Sequence, residues 1–167
     1  MNKENDELLC ERYPKIFADR RADMRTTCMC WGFECGNGWM WLIDQLCKAL
    51  QDRIDNTSPH PPQVIAAQVK EKFGSLRFYI SGGDEGAQGM IDLAEHMSIN
   101  ICEACGSIKN VGRTSGWISV RCEDCAKAEG IMDRWKSNEE WAKYAAAREL
   151  QEKAAAKKAA SAIDTTK

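Results

Sequence analysis

The chain has 167 residues, 44% of them hydrophobic and 29% charged, with 23 Lys and Arg against 25 Asp and Glu and a formal net charge of −2 at pH 7. That length and apolar share suit one ordinary domain or two small ones sharing a core. The near-balance of charge excludes a polybasic, histone-like binder and leaves room only for a local basic patch. The longest apolar stretch, Trp39 to Ile43, stops at Asp44, so no transmembrane helix is expected. The first seven residues are charged and lack an apolar core, so no secretory signal is expected either. With nine cysteines, an odd number, this points to reduced thiols in the cytoplasm and to metal ligation rather than a disulfide framework.

Glu7 to Arg25 reads as a helix and a charged loop. Leu8, Leu9, Tyr13, Ile16 and Phe17 form an apolar stripe, and Pro14 interrupts it, so a short helix is expected to start or restart there. Cys28 to Trp41 is dense in sulfur and aromatic rings. A helix follows over Gly38 to Asp55, with Asn37 as its cap and Trp39, Leu42, Ile43, Leu46, Leu50 and Ile54 on one face. Pro59, Pro61 and Pro62 close it in a loop.

Val64 to Ile80 reads as a β-hairpin with Gly74 in the turn, although Val64 to Lys72 also fits a helical period. The glycine-rich stretch from Ser81 to Gly86 is a loop. Ala87 to Ile101 is a helix with Met90, Leu93, Ala94, Met97 and Ile101 on its buried side. Near the end, Ser137 and Glu140 form a capping box that opens a long helix, anchored by Trp141, Tyr144, Ala145 and Leu150. Beyond Leu150 the sequence is rich in Ala and Lys, which favours helix but offers little area to bury, so a protruding or frayed end is expected.

The strongest chemical signal is the pair Cys102-Glu103-Ala104-Cys105 and Cys122-Glu123-Asp124-Cys125. Two CxxC turns at this separation carry the spacing of a four-cysteine structural zinc site: each turn brings two thiolates to one ion, and the second closes a tetrahedron. Gly106 suits the tight knuckle. Val111 to Trp117 holds two glycines for a hairpin, Trp117 to Arg121 reads as a strand, and Cys125 to Glu129 begins a helix. Knuckle, hairpin and ligand at a helix start is the order of a treble-clef finger, with a zinc ribbon as the alternative. Four thiolates leave no open position, so the metal is structural rather than catalytic.

Lys109, Arg113, Arg121 and Lys127 surround this segment and read as a solvated face that softens the charge of the thiolates. Trp117 is expected to pack over the finger, with stacking on a base as the other reading. Cys28, Cys30 and Cys35 read as small buried hydrophobes among tryptophans. The alternatives are three ligands of a second metal site, completed by Cys10, Cys47, His60 or His96, or one reactive thiol.

His60 and His96 are the only histidines, neither lies in an HExxH pattern, no GxSxG occurs, and Gly83 to Gly89 lacks the Lys and Ser/Thr of a phosphate loop. Enzyme readings therefore fare badly.

Four stretches, Cys10 to Phe17, Met24 to Gly36, Val69 to Tyr79 and Cys102 to Gly106, resemble a family of small proteins of tailed bacteriophages and prophages with a C-terminal four-cysteine zinc finger. The resemblance covers roughly residues 8–126 and implies a phage accessory protein acting in the bacterial cytoplasm.

The expected fold is α+β: a helical N-terminal layer, a small antiparallel hairpin, a treble-clef or ribbon-like finger and a long C-terminal helix. The division is 1–101 for the core, 102–136 for the finger and 137–167 for the helix. The expected function is a zinc-stabilised, non-enzymatic accessory protein that binds and modulates a host protein of defence or transcription. One alternative is a nucleic-acid-binding module using Lys109, Arg113, Trp117 and Arg121, with Lys70, Lys72 and Arg77 on the hairpin. The other is a thiol- or metal-dependent enzyme using Cys28, Cys30 and Cys35.

Overall fold

The computed structural model describes residues 1–164, and side chains as far as 153 apart from that of residue 148. The Ala/Lys-rich end, for which a protruding or frayed helix was expected, lies outside the described side chains. The fold is α+β, and the described residues form five α-helices and two three-stranded sheets.

Helix α1 (Lys3–Arg12) starts earlier than the apolar stripe suggests, because the Asn2 side chain accepts from the Asn5 amide and Glu4 and Asp6 occupy the first turn. Pro14 follows the end of this helix rather than opening one, and the residue before it, Tyr13, is already out of the helical region at φ −126°. The Tyr13 hydroxyl and the Arg12 guanidinium both reach Asp44, at 3.1 and 2.9 Å, and so fasten α1 to α2 (Met40–Asn56). A single 3-10 turn, Asn37–Trp39, leads into α2, which buries Leu42, Ile43, Leu46, Cys47, Leu50 and Ile54 as its periodicity requires.

The first sheet has the order β1-β2-β3. Strands β2 (Ile65–Glu71) and β3 (Leu76–Ser81) form the expected hairpin, in a register that pairs Val69 with Phe78 and Lys70 with Arg77. Val69, Leu76 and Phe78 face the core, so burial on that face decides for strand over helix in the first arm. Strand β1 (Phe33–Glu34) adds in parallel to β2 from inside the cysteine-rich stretch.

Helix α3 (Glu85–Ser98) begins two residues before the expected start, where the Asp84 carboxylate accepts from the Ala87 amide at 2.9 Å and pairs with Arg53 at 2.7 Å. Its buried residues are Ala87, Ile91, Ala94 and Ser98; of the set read from hydrophobicity, Ala94 and, past the helix end, Ile101 are buried and Met90 is half-buried. Leu93 and Met97 are exposed instead and, with Met90, look across a groove to Trp41 of α2. The small side chains lie inward because α3 rests on β3, where the Ser98 hydroxyl accepts from the Leu76 amide at 2.8 Å.

The second sheet has the order β5-β4-β6, from β4 (Val111–Thr114), β5 (Val120–Cys122) and β6 (Trp135–Ser137). The strand read as Trp117 to Arg121 starts only at Val120, and β6 is a third strand with no sequence expectation behind it. Short helix α4 (Glu123–Ala128) follows β5, and α5 (Asn138–Asp164) follows β6. The capping box is in place: Glu140 N–H donates to Ser137 Oγ at 3.2 Å and Ser137 N–H to Glu140 Oε2 at 2.8 Å. The Trp141 indole donates to Arg113 O at 2.9 Å, whereas Tyr144 and Leu150 are exposed. Buried residues from Leu9 through Cys122 form one hydrophobic cluster that includes Cys102, Val111 and Val120. No helix among the described residues is long and apolar enough to cross a membrane.

Candidate metal centre

Cys102, Cys105, Cys122 and Cys125 lie with all four sulfurs within 4.8 Å of one another, a set that can hold one metal ion. Two local turns bring them together. In the first, the Gly106 amide donates to Cys102 O at 2.8 Å, and Gly106 adopts φ +78°, a conformation that disfavours any side chain. In the second, Cys122 caps α4 and its sulfur accepts from the Cys125 amide at 3.4 Å. The second pair thus stands at a helix start, preceded by the β4–β5 hairpin, which is the treble-clef order rather than that of a ribbon.

Backbone amides favour the thiolate at Cys102. Burial pushes the Cys102 thiol up, but the backbone N–H groups of Cys122, Cys105 and Ala104 outweigh it and hold the group below the usual thiol range. Cys105 and Cys125 are raised, first by burial and then by neighbouring sulfurs. Thiolates this close repel each other unless a cation sits among them.

The knuckle rests on a floor with no sequence expectation behind it. Gly38 N–H donates to Glu103 O at 2.8 Å, and Gly36 N–H donates to Glu103 Oε1 at 2.9 Å. A Cβ on Gly38 would stand 2.1 Å from Cys102 O and 2.4 Å from Gly106 N, and one on Gly36 would stand 2.2 Å from Glu103 O. Trp39, fully buried, donates its indole N–H to Ile101 O at 2.9 Å, just before the first ligand. The other carboxylate oxygen of Glu103 takes Arg121 Nη1 at 3.1 Å, and Arg121 also holds Glu129 at 2.8 Å. The only sequence cue to this floor was the Gly-Asn-Gly-Trp run itself, whose two glycines are spaced to present one backbone edge.

The other singled-out residues fall elsewhere. Arg121 and Lys127 are neutralised by acids, the latter by Glu123 at 2.6 Å, so they do not form a free cationic face with exposed Lys109. Arg113 turns toward Trp141, 5.6 Å from the ring centre. Trp117 does not pack over the finger: it is 81% exposed, because the hairpin ends before it and the loop carries it outward.

Cys28, Cys30 and Cys35 are not gathered into a ligand set among the described residues. Cys28 is exposed, Cys30 Sγ lies 3.2 Å from Thr27 O, and Cys35 is buried in the core. Burial pushes the Cys35 thiol up to about 12, which keeps it protonated and poorly nucleophilic. The reading as buried hydrophobes therefore holds for Cys35 and not for Cys28. Comparison with family models, curated proteins and solved structures gives no match to this chain.

Proposed function

We propose that the chain is a zinc-stabilised, non-enzymatic binding protein, a phage accessory product that engages and modulates a host protein in the bacterial cytoplasm. The observation that carries this reading is the completeness of the sulfur set: four cysteines fill a tetrahedral sphere and leave no position for water or substrate. Cys105 Sγ and Cys122 Sγ are 3.7 Å apart, which agrees with the edge of about 3.8 Å that zinc–sulfur bonds of about 2.3 Å require. Four soft thiolates select zinc or iron among the common metals.

The metal is then part of folding, since it links the knuckle to α4 and the knuckle is keyed into the start of α2. The surface offered to a protein is the α2–α3 face, where Trp41, Leu93 and Met97 are exposed. Trp and Met are enriched at interface centres, and Trp41 and Met97 with Leu93 beside them on one small face favour a partner there.

Elemental analysis of purified protein tests the first half: about one zinc per chain is expected, and an iron content with visible absorption, or no transition metal, refutes it. A pull-down from host lysate with wild-type protein and with a Leu93→Asp, Met97→Asp double variant tests the second. A protein retained by the wild type and lost by the variant is expected; identical sets refute the assignment of this face.

A further inference from the structure

At the turn end of the first sheet, we propose that the cleft between the β2–β3 turn and the β4–β5 loop binds single-stranded nucleic acid, with bases stacking on Phe73 and Trp117 and phosphates meeting Lys70 and Lys72. The cleft measures about 370 Å³ and is lined by these four residues together with Glu71, Gly116 and Ile118.

Phe73 is the first clue. Lys72 and Ser75 exchange both backbone hydrogen bonds, at 2.9 and 3.3 Å, around a two-residue turn in which Phe73 has φ 54° and Gly74 φ 76°. Turns of this kind take Asn, Asp or Gly at their first central position, and a bulky side chain there is an outlier. Packing does not repay it, since Phe73 is 73% exposed. A strained aromatic held out into solvent is the mark of a ligand contact.

Trp117 faces it from a built loop. The fully buried Thr114 hydroxyl donates to Trp117 O at 2.7 Å and accepts from the Ser119 amide at 2.8 Å, so the loop is fixed from below while its indole stays outside. The two tips are held together at Gly74, where a Cβ would stand 2.6 Å from Ile118 Cγ2 and 3.3 Å from Arg113 Cδ.

Charge selects the ligand. Lys72 Nζ lies 5.5 Å from the Phe73 ring centre and Lys70 Nζ 5.7 Å from that of Tyr79, and among the described residues neither lysine has an acidic partner. By contrast Arg12, Arg20, Arg53, Arg77 and Arg121 are each held by a carboxylate. Arg113 stands directly opposite Lys136 in the β4–β6 register and is likewise without an acid, so positive charge continues away from the cleft. The acid in the lining, Glu71, already accepts from the Gly74 amide at 2.6 Å, and Glu34, beside Lys70 in the β1–β2 register, accepts from Gln68 Nε2 at 2.8 Å. Cations set beside exposed aromatic rings suit a strand whose bases are unstacked and whose backbone is anionic. A duplex keeps its bases stacked and has no use for the rings; an acidic peptide would use the lysines alone.

The test is fluorescence anisotropy on the zinc-loaded protein with labelled oligo-dT, oligo-rU, a duplex of the same length and a polyglutamate peptide, starting at about 50 mM salt. The single strands are expected to bind and the duplex and peptide far more weakly, and the ratio of dT to rU says which nucleic acid the cleft takes. Affinity should fall with salt at a slope of about −0.7 per phosphate contacted. Phe73→Gly and Trp117→Ala should each weaken binding about tenfold, the loss of one base stack. Phe73→Gly relaxes the turn, so its melting temperature should equal or exceed the wild type, which separates lost binding from lost fold. No single-strand binding, equal binding of the duplex, or unchanged affinity in both variants overturns the proposal. Preferential capture of polyglutamate overturns it in favour of an acidic protein partner. Each of these results leaves the metal scaffold and the α2–α3 face standing, since neither uses this cleft.

Discussion

Replacing Gly38 with alanine should damage the metal centre without touching a ligand. The new methyl carbon would stand 2.1 Å from the carbonyl oxygen of Cys102 and 2.4 Å from the amide nitrogen of Gly106. Both are backbone atoms of the knuckle, so no side-chain rotation relieves the clash. Ordinary contact begins near 3.4 Å, so the knuckle must retreat by more than an ångström. Metal–sulfur distances tolerate only about 0.2 Å, so the first cysteine pair cannot follow that retreat and keep its place in the tetrahedron. The retreat also breaks the Gly38 to Glu103 hydrogen bond. Overpacking of this kind costs about 1–3 kcal/mol, which for a chain of this size lowers the melting temperature by roughly 3–10 °C. Zinc affinity should drop more than tenfold, read by competition with a chromophoric chelator. Gly89→Ala is the control: an added methyl there meets nothing within 4 Å, and it lies inside α3, so stability should rise slightly. A Gly38→Ala protein with wild-type melting and wild-type zinc affinity would show that the knuckle does not depend on its floor.

Removal of the metal by a strong chelator, or Cys105→Ser, should unfold the β4–β5–α4 region, seen as a loss of near-ultraviolet dichroism from Trp135 and Trp141, whose indoles are anchored on Arg121 O and Arg113 O; an unchanged spectrum and melt would contradict a folding role for the metal. The Asp84 carboxyl is held down to about 2, first by the Arg53 guanidinium and then by the Ala87 amide. Its folded-state value lies below the unfolded one, so its stabilisation is complete above a pH of about 4 and disappears as the pH falls from there through about 2. Asp84→Ala should therefore melt earlier than wild type at neutral pH and approach it as the pH falls below about 2, and a pH-independent difference would refute the pairing. Under native conditions an alkylating reagent should modify exposed Cys28 well before Cys35 and Cys47, whose thiols burial pushes up; mass spectrometry of partially labelled protein gives the order.

What the sequence made legible was local. CxxC spacing, the Ser137 capping box, the periodicity of α2 and the alternation around Gly74 are each written within a few residues, and each stands in the structure where it was expected. The floor of the metal centre was not legible, because Gly36 and Gly38 meet Glu103 across more than 60 positions and no pattern in one sequence connects them. Strand β1 has only two residues and β6 three, too short for alternation to register, and both exist by pairing with a neighbour. On α3 hydrophobicity named Leu93 and Met97, but close approach to β3 placed Ala87, Ile91, Ala94 and Ser98 inward. Trp117 was misplaced for a similar reason: its size suggested burial, and Thr114 anchors its loop by the backbone instead.

The keyed seat under the first knuckle has a bearing on how this protein can be cut. A peptide starting at Ile101 would carry all four sulfurs of the centre yet lose Trp39 and the paired glycines that hold Cys102 and Glu103 in register. Such an excised fragment should chelate more weakly than the parent chain, and ion capture in the intact molecule would stiffen the entrance of α2 far from any thiolate. Occupancy of the centre would thereby be transmitted to the helix whose outward side bears Trp41.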